Sequence, residues 1–166
     1  MEPFKFPLES SKPFVDVKGG VVRFAKKLDF PKLDGLAIAS IQLQPGAIRI
    51  PHWHPNANEM DYVISGNARI DLFGPADGPN PDGVSEQFNV GPGEISFLPQ
   101  GWFHSITNAG PGVLHILVIF NSDSPLDIGL PRSLGGIEKA TLAKSLGITV
   151  EEVEKFHTSP EVIVPV

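Results

Sequence analysis

The chain has 166 residues, which is enough for one domain that buries most of its apolar surface. Its 41% hydrophobic and 19% charged residues are typical of globular proteins, and its 17 glycines and 17 prolines favour turns over long helices. The lack of cysteine excludes disulfides and thiolate metal sites. A net charge of −6 without a basic cluster argues against nucleic acid as a partner.

Residues 1–20 are expected to form an extended arm, because prolines interrupt them and they end at Gly19-Gly20. We expect an edge strand, or a strand lent to a neighbouring subunit, rather than a helix. The first residues include charges and prolines where a signal peptide needs an apolar core. No apolar run approaches the roughly 20 residues of a membrane span. We therefore expect a cytoplasmic protein without membrane contact.

Short apolar or alternating segments follow the arm at close and regular spacing. The predicted strands are 21–24, 36–43, 47–50, 60–65, 67–73, 87–90, 94–98, 104–108 and 113–120. Residues 74–83 have no periodicity and are expected to form a surface loop between two strands. Such a series predicts an all-β sandwich or barrel.

The character of the chain changes after residue 120. Residues 137–146 have helical spacing and are followed by Gly147, a suitable residue to end a helix. Thr149 and Glu152 form a capping-box pattern that predicts a second short helix to about residue 156. Helices this short need a surface to pack on. We predict one domain over 1–166, with the arm 1–20, a β-barrel at 21–120, and a lid-like loop and C-terminal helices at 121–166.

Three candidate metal ligands lie within residues 46–66. His52 and His54 are two residues apart, so on a strand they project from the same face. Glu59 follows the turn-forming residues 55–58, which can reverse the chain direction. Two imidazoles and a carboxylate on adjacent strands provide most of a metal coordination shell.

A fourth candidate ligand lies in residues 93–108, which have the pattern of a strand, a Pro-Gln-Gly turn and a second strand. His104 begins the second strand, where strand pairing could bring it to the first three ligands. A single histidine is more often a core or surface residue, and His115 in an apolar strand is interpreted as structural. The combination of His52, His54, Glu59 and His104 instead predicts a site for Mn, Fe, Co, Ni or Zn.

The two segments match the patterns Gly-x5-His-x-His-x4-Glu-x6-Gly and Gly-x5-Pro-x-Gly-x2-His-x3-Asn at every fixed position. The chain thereby resembles the cupin family. The resemblance implies an antiparallel jelly-roll β-barrel. It also implies a divalent metal, with manganese expected first, on the four ligands, with open positions for water, substrate or dioxygen.

The chain resembles the oxalate decarboxylases more closely, which are two-domain cupins related to the germin-like oxalate oxidases. Residues 46–56, residues 64–69 and the tail from Phe120 carry this resemblance. It covers nearly the whole chain but corresponds to one half of the two-domain enzyme. It implies a small carboxylic acid such as oxalate as substrate, with dioxygen as a candidate co-reactant.

Arg49 matches the substrate-binding arginine of that family, and a guanidinium can hold a carboxylate with two hydrogen bonds. The alternative is a strand arginine that faces solvent. The family's flexible lid carries a glutamate for proton transfer, but residues 121–127 contain none and include Pro125, which should stiffen them. Asp123 is the candidate substitute, and the alternative is that Asp123 and Asp127 are solvated turn residues or helix caps. This departure affects the prediction of decarboxylation and not that of the metal site.

The leading interpretation is a metal-dependent cupin enzyme of the oxalate decarboxylase or oxidase type. One alternative is a cupin oxygenase, isomerase or cyclase that acts on another organic acid or metabolite. Another is a non-catalytic cupin that binds a metal or a ligand. The arm and the helices need surfaces to pack on, and the two-domain relatives associate barrel against barrel. We therefore expect a homodimer or a higher homo-oligomer.

Overall fold

The structure is a computed structural model that describes residues 4–75, 83–156, 158 and 161–165. In these residues the chain forms twelve strands, three short α-helices and a single 3-10 turn at Leu8–Ser10. The strands are β1 (Val15–Val17), β2 (Gly20–Ala25), β3 (Ala37–Leu43), β4 (Ile48–Trp53), β5 (Glu59–Ser65), β6 (Ala68–Gly74), β7 (Val84–Val90), β8 (Ile95–Leu98), β9 (Phe103–Asn108), β10 (Leu114–Phe120), β11 (Ile128–Gly129) and β12 (Ile163–Val164). The helices are α1 (Leu130–Gly135), α2 (Lys139–Leu146) and α3 (Val150–Val153).

The strands form two antiparallel sheets. The first has the order β1-β2-β3-β10-β5-β8, and the second has the order β11-β4-β9-β6-β7, with β12 also paired to β4. Their inward side chains share one hydrophobic core. The largest fully buried apolar members of this core are Phe120, Leu43, Ile70, Leu98, Ile106, Leu114 and Ile116. The predicted all-β fold with short C-terminal helices is confirmed.

Alternation of side chains made most strands predictable. In β6, Ala68, Ile70 and Leu72 are buried, while Arg69 and Asp71 between them are partly exposed. The observed bounds differ from the predicted ones by one to three residues, as at β7, which begins at residue 84 rather than 87. The predicted loop 74–83 lies mostly outside the described residues, since 76–82 are not among them.

The N-terminal arm packs on its own barrel. Strand β1 pairs with β2 in antiparallel register, with Val15 opposite Val22. The edge-strand alternative is therefore the one that the structure shows within this chain. The 3-10 turn ahead of β1 contacts β2 and β3, so the arm is fixed beside the first sheet.

A β-bulge in β4 places Arg49 beside the candidate ligands. Arg49 lies opposite Ile106 of β9, whereas His52 lies opposite His104, so β4 has one residue more than its partner between these pairs. In a regular strand, residues three apart would project from opposite faces. The extra residue at Ile50-Pro51 lets both Arg49 and His52 point into the barrel, where both are buried.

The other edge of β4 is covered by two short C-terminal strands. Strand β11 pairs with β4 at Trp53 and His52, and β12 pairs with β4 at Arg49 and Ile48. Neither strand was predicted, because two residues are too few to show a periodicity. They protect the backbone of the strand that carries the first ligand and Arg49.

The predicted helices are present, although both are shorter than expected. Helix α2 begins at residue 139 rather than 137, and it ends at Leu146 before Gly147, which adopts the left-handed conformation with φ 68°. Thr149 and Glu152 form the predicted capping box of α3. Leu142, Ala143 and Val153 form a second small hydrophobic cluster. Helix α1 was not predicted. Among the helices of the described residues, none has the length and apolar character that crossing a membrane requires.

Candidate metal centre

The structure brings all four predicted ligands to one place inside the barrel. His52 lies on β4 and directly opposite His104 on β9, His54 follows the end of β4, and Glu59 begins β5. One donor atom from each residue lies within 4.8 Å of the others, and all four side chains are buried. The sheet pairing therefore delivers a three-histidine, one-carboxylate cluster.

Each histidine is oriented by a hydrogen bond to a backbone carbonyl, which fixes its tautomer. Because a carbonyl oxygen only accepts, each Nδ1 must carry the hydrogen, and in a neutral ring Nε2 is left as an acceptor. The three bonds run from His52 Nδ1 to Ile50 at 2.8 Å, from His54 Nδ1 to Leu126 at 2.6 Å and from His104 Nδ1 to Trp102 at 3.0 Å.

The inward atoms of the cluster have no donor to satisfy them. Glu59 Oε2 lies 2.8 Å from His54 Nε2 and 3.5 Å from His104 Nε2. Within the part of the chain that the structure describes, these three buried atoms have no hydrogen-bond partner. Buried acceptors that converge in this way require a cation between them. The donor set of imidazole nitrogens and one carboxylate fits a divalent transition metal.

The protonation states suit metal binding. Burial, helped by the charge of Arg49, lowers the pKa of His52 well below its ordinary value and keeps the imidazole neutral. Burial alone would raise the pKa of Glu59, but His104 and His54 outweigh it and hold this pKa well below the usual range. Neutral imidazole and ionised carboxylate are the forms that ligate a metal.

His54 is the ligand for which a proton competes with the metal. Burial acts to lower its pKa, but the Glu59 carboxylate, 2.8 Å from Nε2, outweighs this effect and raises the pKa of His54 above its ordinary value. In the metal-free protein, a proton on Nε2 can therefore take the cation's place beside Glu59.

Asp61 is a buried acid beside the cluster that the sequence interpretation did not single out. It lies two residues after Glu59 on β5 and so shares its face, and Ser96 Oγ donates to its Oδ2 at 2.9 Å. Burial, followed by the charge of Glu59, raises the pKa of Asp61 well above its usual range. The site therefore favours the protonated form of this carboxyl group.

Arg49 is buried and lines the same cavity as His52, His54 and Glu59. It does not face solvent, so the alternative of an exposed strand arginine is wrong. Its Nη1 donates to the carbonyl of Val162 at 3.3 Å, and its Nη2 donates to the carboxylate of Asp127. Burial lowers the pKa of Arg49, while the charges of Asp127 and Glu59 act against that shift. A guanidinium keeps its charge under these conditions.

Asp123, the acid considered for proton transfer, points elsewhere. Its Oδ2 lies 3.3 Å from Lys27 Nζ, and it accepts a hydrogen bond from the Gly35 N–H at 3.5 Å. It is not among the residues that line the ligand cavity, whereas Asp127 is. Asp127 was not singled out from the sequence, because its partner Arg49 lies 78 positions away and local patterns do not reveal such contacts.

Residues 121–129, here called the strap, follow the last strand of the first sheet and are tied to the loop between the ligands. Asn56 donates to the Ser124 carbonyl at 3.1 Å and accepts from the Leu126 N–H at 2.8 Å. The Asn58 N–H donates to Asn121 Oδ1 at 2.7 Å. The stiffening expected from Pro125 is thus accompanied by hydrogen bonds that fasten the strap to the barrel.

The predicted Pro-Gln-Gly turn ahead of His104 is present. The Trp102 N–H donates to the Pro99 carbonyl at 3.0 Å, and Gly101 has φ 79°, as the third position of a type II turn requires. Asn58 Oδ1 accepts from the Gln100 N–H at 2.8 Å. The loop between His54 and Glu59 is therefore hydrogen-bonded both to the turn that precedes His104 and to the strap.

Comparison with known proteins places this geometry in a family. Residues 6–154 match the cupin family. The chain is 34% identical to oxalate decarboxylase OxdC of Bacillus subtilis over 80% of its own length and 32% of that protein. It is 31% identical to oxalate oxidase GF-3.8 of Triticum aestivum over 72% of its length and 54% of that protein.

Solved structures agree with these sequence matches. A structure of Bacillus subtilis oxalate decarboxylase, studied for its Mn(II) centres, superposes with a TM-score of 0.85 at 28% identity. The superposition covers 96% of this chain and 40% of that one. The chain thus spans about a third of the length of the first curated relatives that it matches.

Metal binding can be tested by removing one ligand. We expect the wild-type protein to retain about one divalent ion per chain after dialysis, and His104→Ala to lose it, because three protein ligands hold the ion more weakly than four. Elemental analysis measures the ratio. His115→Ala is the matched control, since His115 Nε2 lies 3.0 Å from Ser40 Oγ, outside the cluster. Equal metal content in wild type and His104→Ala would contradict the site.

The raised pKa of Asp61 predicts a pH-dependent effect on stability. The folded protein keeps a proton that the unfolded chain releases above about pH 4, so stability is lost as the pH rises through the folded pKa. Asp61→Asn has no such proton and can still accept from Ser96. In metal-free protein, we therefore expect the Tm of Asp61→Asn minus the Tm of the wild type to be larger at pH 8 than at pH 4. The exposed Asp16→Asn is the control, and an Asp61→Asn difference that does not change with pH would refute the assignment.

Proposed function

The chain belongs to the cupin family, and on this basis we propose that it is a metal-dependent cupin that binds and turns over a small carboxylic acid such as oxalate. We also propose manganese as the metal, supported by the Mn(II) centres of the similar Bacillus subtilis enzyme. The single observation that carries the acid substrate is the position of Arg49, a buried cation that lines the same cavity as His52, His54 and Glu59.

The geometry supports two-point binding of a small acid. A buried guanidinium needs an anionic partner, and its planar donors match the two oxygens of a carboxylate. The carboxylate of Asp127 already holds this position, so the surroundings of Arg49 accept such a group. A dicarboxylate can place one end at the ligand cluster and the other end at Arg49.

The side chains divide the work of the site. His52, His54 and His104 hold the metal with neutral nitrogens, while Glu59 neutralises part of its charge. When bound, the metal supplies Lewis acidity and a template for the coordinated carboxylate. Arg49 orients the far end of the acid and stabilises negative charge there. The apolar rings of Phe24 and Phe120, which line the same cavity, limit the access of water.

The reaction type depends on which group moves protons. Decarboxylation converts oxalate and one proton to formate and carbon dioxide, whereas oxidation consumes oxalate, dioxygen and two protons and yields two carbon dioxide molecules and hydrogen peroxide. The strap carries no glutamate, and Asp123 is paired with Lys27. Asp127 is the strap acid that lines the ligand cavity. The products therefore report whether this chain retains decarboxylation.

The function is tested by incubating the metal-loaded protein with oxalate while formate, carbon dioxide and peroxide are measured. Arg49→Lys keeps the charge but loses the planar pair of donors, so we expect kcat/KM to fall about 10- to 100-fold with unchanged metal content. Arg69→Ala, a partly exposed arginine paired with Asp71, is the control.

Failure of a metal-loaded protein to consume oxalate would refute oxalate as the substrate. Turnover of another organic acid would then support a different cupin enzyme, and metal or ligand binding without any turnover would support a non-catalytic cupin.

We propose that the outer face of the first sheet is a homodimer interface. On β5 and β8, Tyr62, Ile64, Ile95 and Phe97 are 41%, 41%, 61% and 57% exposed. Tyr62 lies opposite Ile95, and Met60 lies opposite Phe97, so these side chains form one continuous apolar patch. Patches of this kind on soluble proteins mark interaction surfaces.

A charge placed within this patch tests the interface. We expect Phe97→Glu to halve the mass measured by light scattering at micromolar concentration, because a buried unpaired carboxylate opposes association. Phe73→Glu on β6 of the other sheet is the matched control, since Phe73 is 50% exposed. A monomeric wild type, or a Phe97→Glu protein with wild-type mass, would contradict the interface.

A further inference from the structure

The Arg49–Asp127 ion pair stands between two cavities. The inner cavity is lined by three of the candidate ligands, His52, His54 and Glu59, and has a volume of about 10 Å³. The outer cavity is open to solvent and has a volume of about 180 Å³. Arg49, Asp127, Phe14 and Val162 line both cavities, so they form the wall that the two share.

The inner cavity is too small for the proposed substrate while this wall is closed. A volume of about 10 Å³ corresponds to about one water molecule. A dicarboxylate has six heavy atoms in the smallest case, oxalate, and therefore needs more room. The outer cavity is large enough for such a molecule. A small acid that reaches the ligands from the outer cavity must therefore move part of the Arg49–Asp127 wall.

Asp127 is the movable partner of the pair. The Arg49 side chain is 5% exposed and is also bonded to the Val162 carbonyl, whereas the Asp127 side chain is 31% exposed. The backbone on both sides of Asp127 is fixed, because Leu126 bonds to His54 and Asn56, and Ile128 pairs with Trp53 of β4. Rotation of the Asp127 side chain requires no movement of these backbone bonds.

Arg49 is the residue that selects an anionic ligand. The outer cavity carries Arg132 and Glu161, one charge of each sign, so its lining alone does not favour an anion. Glu59 and Asp127 place two carboxylates beside the single guanidinium of Arg49. An incoming carboxylate that takes the place of Asp127 keeps Arg49 paired, whereas one that binds beside Asp127 would add a further negative charge to a buried site.

We propose that Asp127 is a side-chain gate that competes with the substrate for Arg49. Its carboxylate occupies the position of the substrate carboxylate, and it rotates towards the outer cavity when an acid binds, while the backbone of the strap stays in place. An acid therefore enters the inner cavity only if it binds Arg49 strongly enough to displace Asp127. This inference rests on the proposed binding of a small carboxylic acid at Arg49.

The gate is tested by titrating oxalate into metal-free protein and measuring heat, so that oxalate does not act by removing the metal. We expect Asp127→Asn to bind oxalate at least tenfold more tightly than the wild type, because a neutral amide competes weakly for a guanidinium. Asp123→Asn, on the same strap but paired with Lys27, should match the wild type. The gate is overturned if a folded Asp127→Asn protein binds oxalate no more tightly than the wild type does. It is also overturned if neither protein binds oxalate.

A crystal structure of the wild-type protein with oxalate gives a second test that does not depend on a variant. We expect an oxalate carboxylate on Arg49, Asp127 turned outward, and Leu126 still bonded to Asn56. Oxalate bound with the Arg49–Asp127 pair intact, or with the strap backbone displaced, overturns the proposal. If Asp127→Asn binds oxalate more tightly as predicted but the metal-loaded protein does not turn oxalate over, the gate is supported and the proposed enzymatic function is contradicted.

Discussion

The rest of the structure depends on four buried acceptor groups that meet inside the barrel. Three imidazole nitrogens and a carboxylate can converge there only if every ring is held in one orientation and a cation joins them. The three orienting carbonyls come from the β4 bulge at Ile50, the turn at Trp102 and the strap at Leu126. Each of these carbonyls comes from a bulge, a turn or a loop rather than from a regular stretch of strand.

The strap connects the residues that orient the candidate metal ligands with the proposed acid-binding position at Arg49. Leu126 accepts the hydrogen bond of His54, and the next residue, Asp127, neutralises Arg49. Ile128 then pairs with β4, the strand that carries both His52 and Arg49. Three successive strap residues therefore contact the two halves of the site. Because Asn56 fixes the strap, the candidate metal ligands and the proposed acid-binding position are held by the same hydrogen-bonded segment.

The metal ligands could be predicted from the sequence because their spacing reflects local strand geometry, with Glu59 and His104 each placed by a short turn. The position of Arg49 could be expected only by resemblance, since regular alternation would point it away from His52. The bulge at Ile50-Pro51 turns Arg49 to the same side as His52, and it becomes visible only in the pairing with β9. Asp127 was missed because its role comes from a contact between distant parts of the chain, and a two-residue strand such as β11 gives no periodic signal.

Pairing between Arg49 and Asp127 also avoids the energetic cost of an unpaired buried guanidinium in the proposed site. A guanidinium buried beside a metal cluster keeps its charge whether or not an acid is bound, so it needs an anion at all times. Asp127 supplies that anion in the closed form, and a substrate carboxylate would supply it in the open one. Exchange of one carboxylate for another avoids a state in which Arg49 is buried and unpaired. A charged arginine can therefore stay at the bottom of a narrow cavity without a large movement of the backbone.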